Sequence, residues 1–297
     1  DLKCTANVQM FATTLKGLKK VDQLIAAFNS HPLKTYFCFN TVKHISESKL
    51  SCYHKKEQAI QCDESIWADI KQDEKTRYLG IMLPEGGANV NAGIMYLDIK
   101  DNEQVFAHEL SHLLGFVDEY ALPKDHQQCR KNQSTISSHN ISVIKSFYQG
   151  SKTEVRARVL KKLAWAKLIK RTTPILHETS NGWKVGTPDT FIEGDKSDKN
   201  TIGVFPSETC NLHDIEAFKP LKQFTQLTYF ASDFPNEYIE LLKRNSEKYI
   251  MPSYHYNIAK HLLKNGQESS AFTWLDKALS KEVEDTPRYK KIKRGVF

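Results

Sequence analysis

Residues 106–120 read FAHELSHLLGFVDEY, and they group side chains suited to metal chemistry. His108 and His112 stand four positions apart, with Glu109 directly after the first. On a helix, positions i and i+4 share one face. Both imidazoles can therefore reach a single ion, about 2.0–2.1 Å away if it is zinc. Glu109 is placed to reach a water on that ion without binding the metal, which is where a general base must stand. Two histidines are one ligand short, since a catalytic zinc usually keeps three protein ligands and one open position. Gly115 lets the chain leave the helix through a positive φ at little cost. Asp118 is the next metal-compatible side chain, and Glu119 is its rival as third ligand.

These residues need a helix to carry them and a sheet to carry the helix. Residues 92–99 (AGIMYLDI) predict a strand, and residues 104–114 predict a buried helix with Phe106, Ala107, Leu110, Leu113 and Leu114 on its apolar side. Upstream, apolar spacing predicts a helix over 10–29 and an aromatic-rich strand over 35–40. Short strands follow at 49–53 and 58–62, then a helix over 63–73, a strand over 77–83 and a turn at 84–87. Residues 121–138 read as a polar loop, 153–170 as a helix and 182–198 as a loop. Three more helices are expected at 238–248, 253–264 and 268–279.

The pattern HExxHxxGxxD resembles the zinc signature of the metzincins, with Asp in place of the usual final His, as in snapalysin-like enzymes. The resemblance implies one catalytic Zn2+ held by His108, His112 and Asp118, with Glu109 as base. It implies an α+β fold: a zincin/metzincin-like catalytic domain with a twisted mixed sheet and a zinc-binding helix. In that family a strand before the zinc helix borders the cleft, where its edge can pair with an extended peptide. Gly93 or the neighbouring 89–91 segment would let a substrate backbone come close. Metzincins also place a Met-containing turn beneath the zinc. Two segments are candidates here, 207–211 with Cys210, and 249–254 with Met251; the first is preferred. A second, looser similarity runs over residues 90–215. Trp165–Ile169, Thr173-Pro174-Ile175 and Asp118-Glu119-Tyr120 are similar to stretches of bacterial IgA-cleaving-type metallopeptidases. An electrophilic donor for the oxyanion is expected from Tyr120, Tyr148 or His213, with Tyr120 nearest the ligands in sequence.

Residues 254–280 look like one tetratricopeptide-type helical hairpin. A single repeat cannot bury its own face, so this hairpin is expected to dock, on the catalytic domain or on a protein partner. The domain reading is thus 1–248 for the metallopeptidase and 249–297 for the hairpin and its basic tail. The whole chain of 297 residues carries a net charge of +7, spread along its length apart from the run RYKKIKR at 288–294. Basic grooves interleaved with stacking aromatics are not evident, so no nucleic-acid partner is expected. No apolar run reaches the ~18 residues of a membrane span. Six cysteines, none in a CxxC pair, fit disulfides in an oxidising compartment. Cys129–Cys210 is the preferred pair, leaving Cys4, Cys38, Cys52 and Cys62 with three connectivities. A secreted or periplasmic protein with a processed N-terminus is the expected setting. The leading function is a zinc-dependent endopeptidase in which Glu109 assists attack of a zinc-bound water on a peptide. The alternatives are a catalytically idle zincin-fold binding module and a zinc hydrolase of a non-peptide amide or ester.

Overall fold

A computed structural model of the chain describes residues 5–53, 58–122, 138–194, 201–212 and 215–295. The described residues form an α+β protein with eight α-helices, a mixed six-stranded sheet and three smaller sheets. They fall into two compact units, residues 1–114 together with 250–297, and residues 115–249.

The first unit begins with β1 (Ala6–Ala12), α1 (Leu15–Phe28), β2 (Phe37–Phe39), β3 (Lys43–His44), β4 (Cys52–Tyr53) and β5 (Gln61–Cys62). It continues through β6 (Tyr78–Leu83), β7 (Asn89–Asn91), β8 (Ile94–Asp98) and α2 (Glu103–Leu113). The main sheet runs β2-β1-β6-β8-β7, with β3 also on β1. Its pairs are parallel except for β7, which lies antiparallel on β8 at one edge. Parallel strands covered on both faces read as unbroken apolar runs. That explains β6 (YLGIML) and β8 (IMYLD), both buried along their whole length.

Two expectations upstream need correction. The helix expected from residue 10 starts at Leu15, because residues 10–12 belong to β1 and Thr14 caps the helix, its hydroxyl accepting from the Gly17 amide at 3.0 Å. The apolar residues on both sides of that cap form one continuous stripe in the sequence. The helix expected over 63–73 shrinks to a 3-10 turn, Glu64–Ala68. The stretch after it, DIKQDEK, offers only Ile70 as an apolar side chain, so a longer helix would have no face to bury. A disulfide joins Cys52 and Cys62 across β4 and β5.

The second unit holds β9 (Ser142–Lys145), β10 (Phe147–Tyr148), α3 (Lys152–Leu160), β11 (Leu176–Thr179), β12 (Gly182–Val185), α4 (Asp189–Gly194), β13 (Phe205–Leu212), β14 (Ile215–Lys219) and α5 (Asn236–Asn245). Its two three-stranded sheets run β10-β12-β11 and β13-β14-β9, all antiparallel. The helix expected over 153–170 stops at Leu160 and resumes only as a 3-10 turn, Ala166–Leu168. The loop expected over 182–198 contains β12 and α4.

The chain ends with α6 (Tyr254–Lys264), α7 (Glu268–Leu279) and α8 (Pro287–Lys293). Ile258 and Leu262 of α6 and Ala271 of α7 share one buried cluster with Leu79, Ile81, Ile94 and Tyr96 of the main sheet. The hairpin's apolar face is therefore covered from within the chain, by the first unit. The basic run 288–294 forms α8 and its cap, and Ile292 buries against Ala259 and Leu275.

Candidate metal centre

The helix α2 is fixed at both ends. Asn102 caps its start, its side-chain oxygen accepting from the amides of Gln104 and Val105 at 3.0 Å each. Phe106 anchors its buried side by packing edge-on against Phe28 of α1, ring centroids 5.7 Å apart. The helix ends against residues of the C-terminal segment. The Met251 amide donates to the Leu113 carbonyl at 2.9 Å. The Tyr78 hydroxyl lies 3.0 Å from that carbonyl and 2.7 Å from the carbonyl of Met251. Met251 also accepts, through its sulfur, from the Gly93 amide at 3.1 Å. Gly93 is at φ +88°, where a Cβ would collide with the backbone of residues 252–254.

On this helix His108 and Glu109 are buried and His112 is half-buried. The two Nε2 atoms are 3.0 Å apart, and the rings stand perpendicular. Two nitrogens bound tetrahedrally at ~2.05 Å would be roughly 3.3 Å apart, so the pair needs little movement to share an ion. One ligand atom each from His108, His112 and Asp118 lies within 4.8 Å of the others, and Asp118 is buried. Two imidazoles and a carboxylate are a donor set that zinc and other divalent transition metals accept, with room for a further ligand. By its donor chemistry the group fits a metal.

Gly115 makes the path from His112 to Asp118. It sits at φ +95°, and a Cβ there would overlap the Tyr249 carbonyl. Any other residue would meet both strain and collision. The segment beyond it is pinned by backbone contacts within the second unit. The Thr209 hydroxyl donates to the carbonyl of Asp118, and that of Ser207 to the carbonyl of Glu119 at 3.0 Å. The Glu119 amide donates to the Leu227 carbonyl at 2.9 Å.

The two acids, left as rivals by the sequence, have different surroundings. The Glu119 carboxylate is buried and accepts from five donors: Asn140 Nδ2 at 3.1 Å, Lys219 Nζ at 3.0 Å, Thr225 at 2.9 Å, Thr228 at 2.8 Å, and the Tyr238 hydroxyl. Burial, then the Glu119 charge, raises the Tyr238 phenol well above its ordinary value, so that it stays a donor. The oxygens of Glu119 are committed to these partners, and it is Asp118 that joins the histidines. Sequence reading missed this network. Its members lie 21 to 119 positions from Glu119, and no local pattern links them.

The other expected residues are more scattered. Tyr120 is half-buried, two positions beyond Asp118. Tyr148 lies on β10, its buried hydroxyl without a hydrogen-bond partner, its phenol raised by burial, and Arg158 over its ring at 5.7 Å. His213 lies outside the described residues. So does Cys129, and with it the expected Cys129–Cys210 pair; Cys38 and Cys210 are both disulfide-bonded, and no described cysteine is free. Among the described residues no helix is long and apolar enough to cross a membrane.

No family profile, curated protein or solved structure matches this chain.

Proposed function

We propose that the chain is a zinc-dependent endopeptidase with a metzincin-like catalytic fold. The observation that carries the reading is the grouping of His108, His112 and Asp118 within 4.8 Å, with a glutamate, Glu109, directly after the first histidine. A site that only stored or scaffolded a metal has no use for a base at that position. The strand expected to border the cleft, β8, is paired on both sides by β6 and β7, so the edge that could take a peptide is β7, the antiparallel strand just before β8. An edge of this kind offers unpaired amides and carbonyls to an extended chain. In this reading Met251, bonded to the last turn of α2, plays the part of the Met-turn. The 207–209 segment instead steadies the third ligand from its backbone.

His108, His112 and Asp118 would hold the ion. A zinc ion there supplies a Lewis acid for the scissile carbonyl and lowers the pKa of water towards ~7. Glu109 takes the proton of the attacking water and passes it to the leaving amine, which balances the hydrolysis without an outside acid. The half-buried Tyr120 is assigned to the oxyanion. The disulfide at Cys52 supports a secreted or periplasmic setting.

The test pairs metal content with cleavage. Purified protein is analysed for bound metals, then wild type and Glu109→Gln are incubated with a broad peptide library. The proposal expects about one zinc per chain in both, and cleavage reduced by roughly 10²–10⁴-fold in the variant. Metal bound without any cleavage would favour the binding-module alternative. Cleavage confined to small esters or non-peptide amides would favour the other hydrolase reading.

A further inference from the structure

The first unit contains a cavity of about 550 Å³ between the 68–74 segment and the helices α6 and α7. Pockets for small ligands run from about 300 to 1,000 Å³. None of its lining residues belongs to the 108–118 stretch, so it is a separate site.

The cavity is built from three kinds of surface. Its apolar side is Trp274, Tyr254 and Ile70. His255 of α6 and Lys277 of α7 share the lining with Lys281, which lies just beyond α7. Lys277 holds its ammonium 3.9 Å from the centre of the Trp274 ring, and Lys281 donates to the Glu74 carbonyl. The facing segment contributes three acids, Asp69, Asp73 and Glu74, and one lysine, Lys71.

His255 is the telling residue. Only 6% of its surface is exposed, and its buried Nδ1 meets no hydrogen-bond partner. The ring packs against Tyr254 and Trp274, centroids 4.0 and 5.5 Å away, with Nδ1 closed off from solvent, so a ligand in the cavity meets the other ring nitrogen, Nε2. Burial, with Lys281, Lys277 and Arg77 nearby, keeps this imidazole neutral, pushed down to about 3. A neutral imidazole can both donate and accept.

We propose that this cavity binds a small zwitterion with an apolar side chain, of amino-acid to dipeptide size. Its carboxylate meets Lys277, Lys281 and the Nε2–H of His255. Its ammonium meets the acids of the 69–74 segment. Its side chain covers Trp274 and Tyr254, as the apolar lining requires. A plain anion would face three acids, and a plain cation three lysines; a ligand with both charges is matched by both sets.

The test uses the full-length protein and isothermal titration with L-phenylalanine, L-phenylalaninamide and N-acetyl-L-phenylalanine. The amide lacks the carboxylate and the acetyl derivative lacks the ammonium. Saturable binding of the amino acid is expected, with each derivative weaker by on the order of tenfold or more. Lys277→Met should weaken the amino acid on the order of tenfold and leave the amide unchanged. Asp73→Asn, a change on an exposed residue, should weaken the amino acid but not the acetyl derivative, and it stands in if the first variant fails to fold. No saturable signal up to about 10 mM would overturn the proposal, as would equal binding of all three ligands or indifference to both substitutions.

Discussion

Lys219 and Glu119 form a buried ion pair, Nζ to carboxylate oxygen 3.0 Å, with side chains 6% and 0% exposed. They are separated by 100 residues, and the pair ties β14 to the segment that carries Asp118. A charge taken out of water is tolerable only while it is paired. Glu119→Gln should therefore destabilise the protein by about 3–5 kcal/mol, because it strands the Lys219 ammonium. The double variant Glu119→Gln/Lys219→Met should recover part of that loss. Denaturant unfolding of the wild type, both single variants and the double variant measures the coupling. A double variant no more stable than the additive expectation would count against the pair as the cause.

Tyr78 is a second long-range tie, this one beneath α2. Its hydroxyl lies between the carbonyls of Leu113 and Met251 and accepts from Arg77 Nε at 3.0 Å. Burial is the main reason its phenol is raised, so it remains a donor. Tyr78→Phe keeps the ring and removes the junction, leaving buried polar groups unsatisfied at a cost of about 1–3 kcal/mol. The expected outcome is a lower unfolding midpoint with an unchanged denaturant slope. A variant as stable as wild type would show that water or another group takes over.

Acid stability has two opposed contributions. His255, ordinarily near 6.5, is pushed to about 3 by burial first and by Lys281, Lys277 and Arg77 next. The unfolded chain binds its proton first, so this contribution is full above 6.5 and is lost as pH falls towards 3, by up to about 1.4 kcal/mol per pH unit. Asp101, ordinarily 3.8, is raised to about 6, chiefly by burial and further by Asp98, against the Asp98 amide and Lys20. Its contribution is full below 3.8 and is lost as pH rises through about 6. The two oppose each other in the window they share. His255→Gln should flatten the fall in Tm on acidification, and Asp101→Asn should steepen it. Parallel Tm–pH curves for the three proteins would refute both assignments.

The site and its supports differed sharply in how readable they were. The helix and strand around His108 were legible because period and burial coincide locally: β8 is a short apolar run and α2 has a clean cap and an apolar side. Gly115 was legible because a positive φ at a helix exit leaves few other choices. The strand β1 was not, since its apolar residues merge with those of α1 across the Thr14 cap. The different fates of Asp118 and Glu119 were not legible either. Adjacent acids look alike until Asn140, Lys219, Thr225, Thr228 and Tyr238 surround one of them, and those partners are brought in by the fold.

The Cys52–Cys62 bridge closes a short loop between β4 and β5. Chain-entropy arguments assign such a loop about 3 kcal/mol of stabilisation. The double variant Cys52→Ser/Cys62→Ser should lower the unfolding free energy by roughly that amount. The zinc content of the folded variant should be unchanged, because neither residue belongs to the candidate centre. Loss of metal in a variant that remains folded would show that the bridge supports the centre as well as the loop.

Asp118 offers the sharpest test of the proposed metal ligands. Asp118→Ala removes one of three donors, and Glu119 cannot step in while five partners hold its carboxylate. Zinc affinity, measured by chelator competition, should fall by more than about 100-fold, beyond the 10–100-fold typical of losing a supporting residue. Asp118→His should restore binding, since the imidazole is itself a zinc ligand. The two ligands differ in charge, however. The anionic aspartate leaves a bound ion less Lewis-acidic, so the wild type should work best at a higher pH than the histidine variant. Coincident pH–rate profiles would sink that expectation, and an Ala variant that holds zinc as tightly as wild type would remove Asp118 from the site.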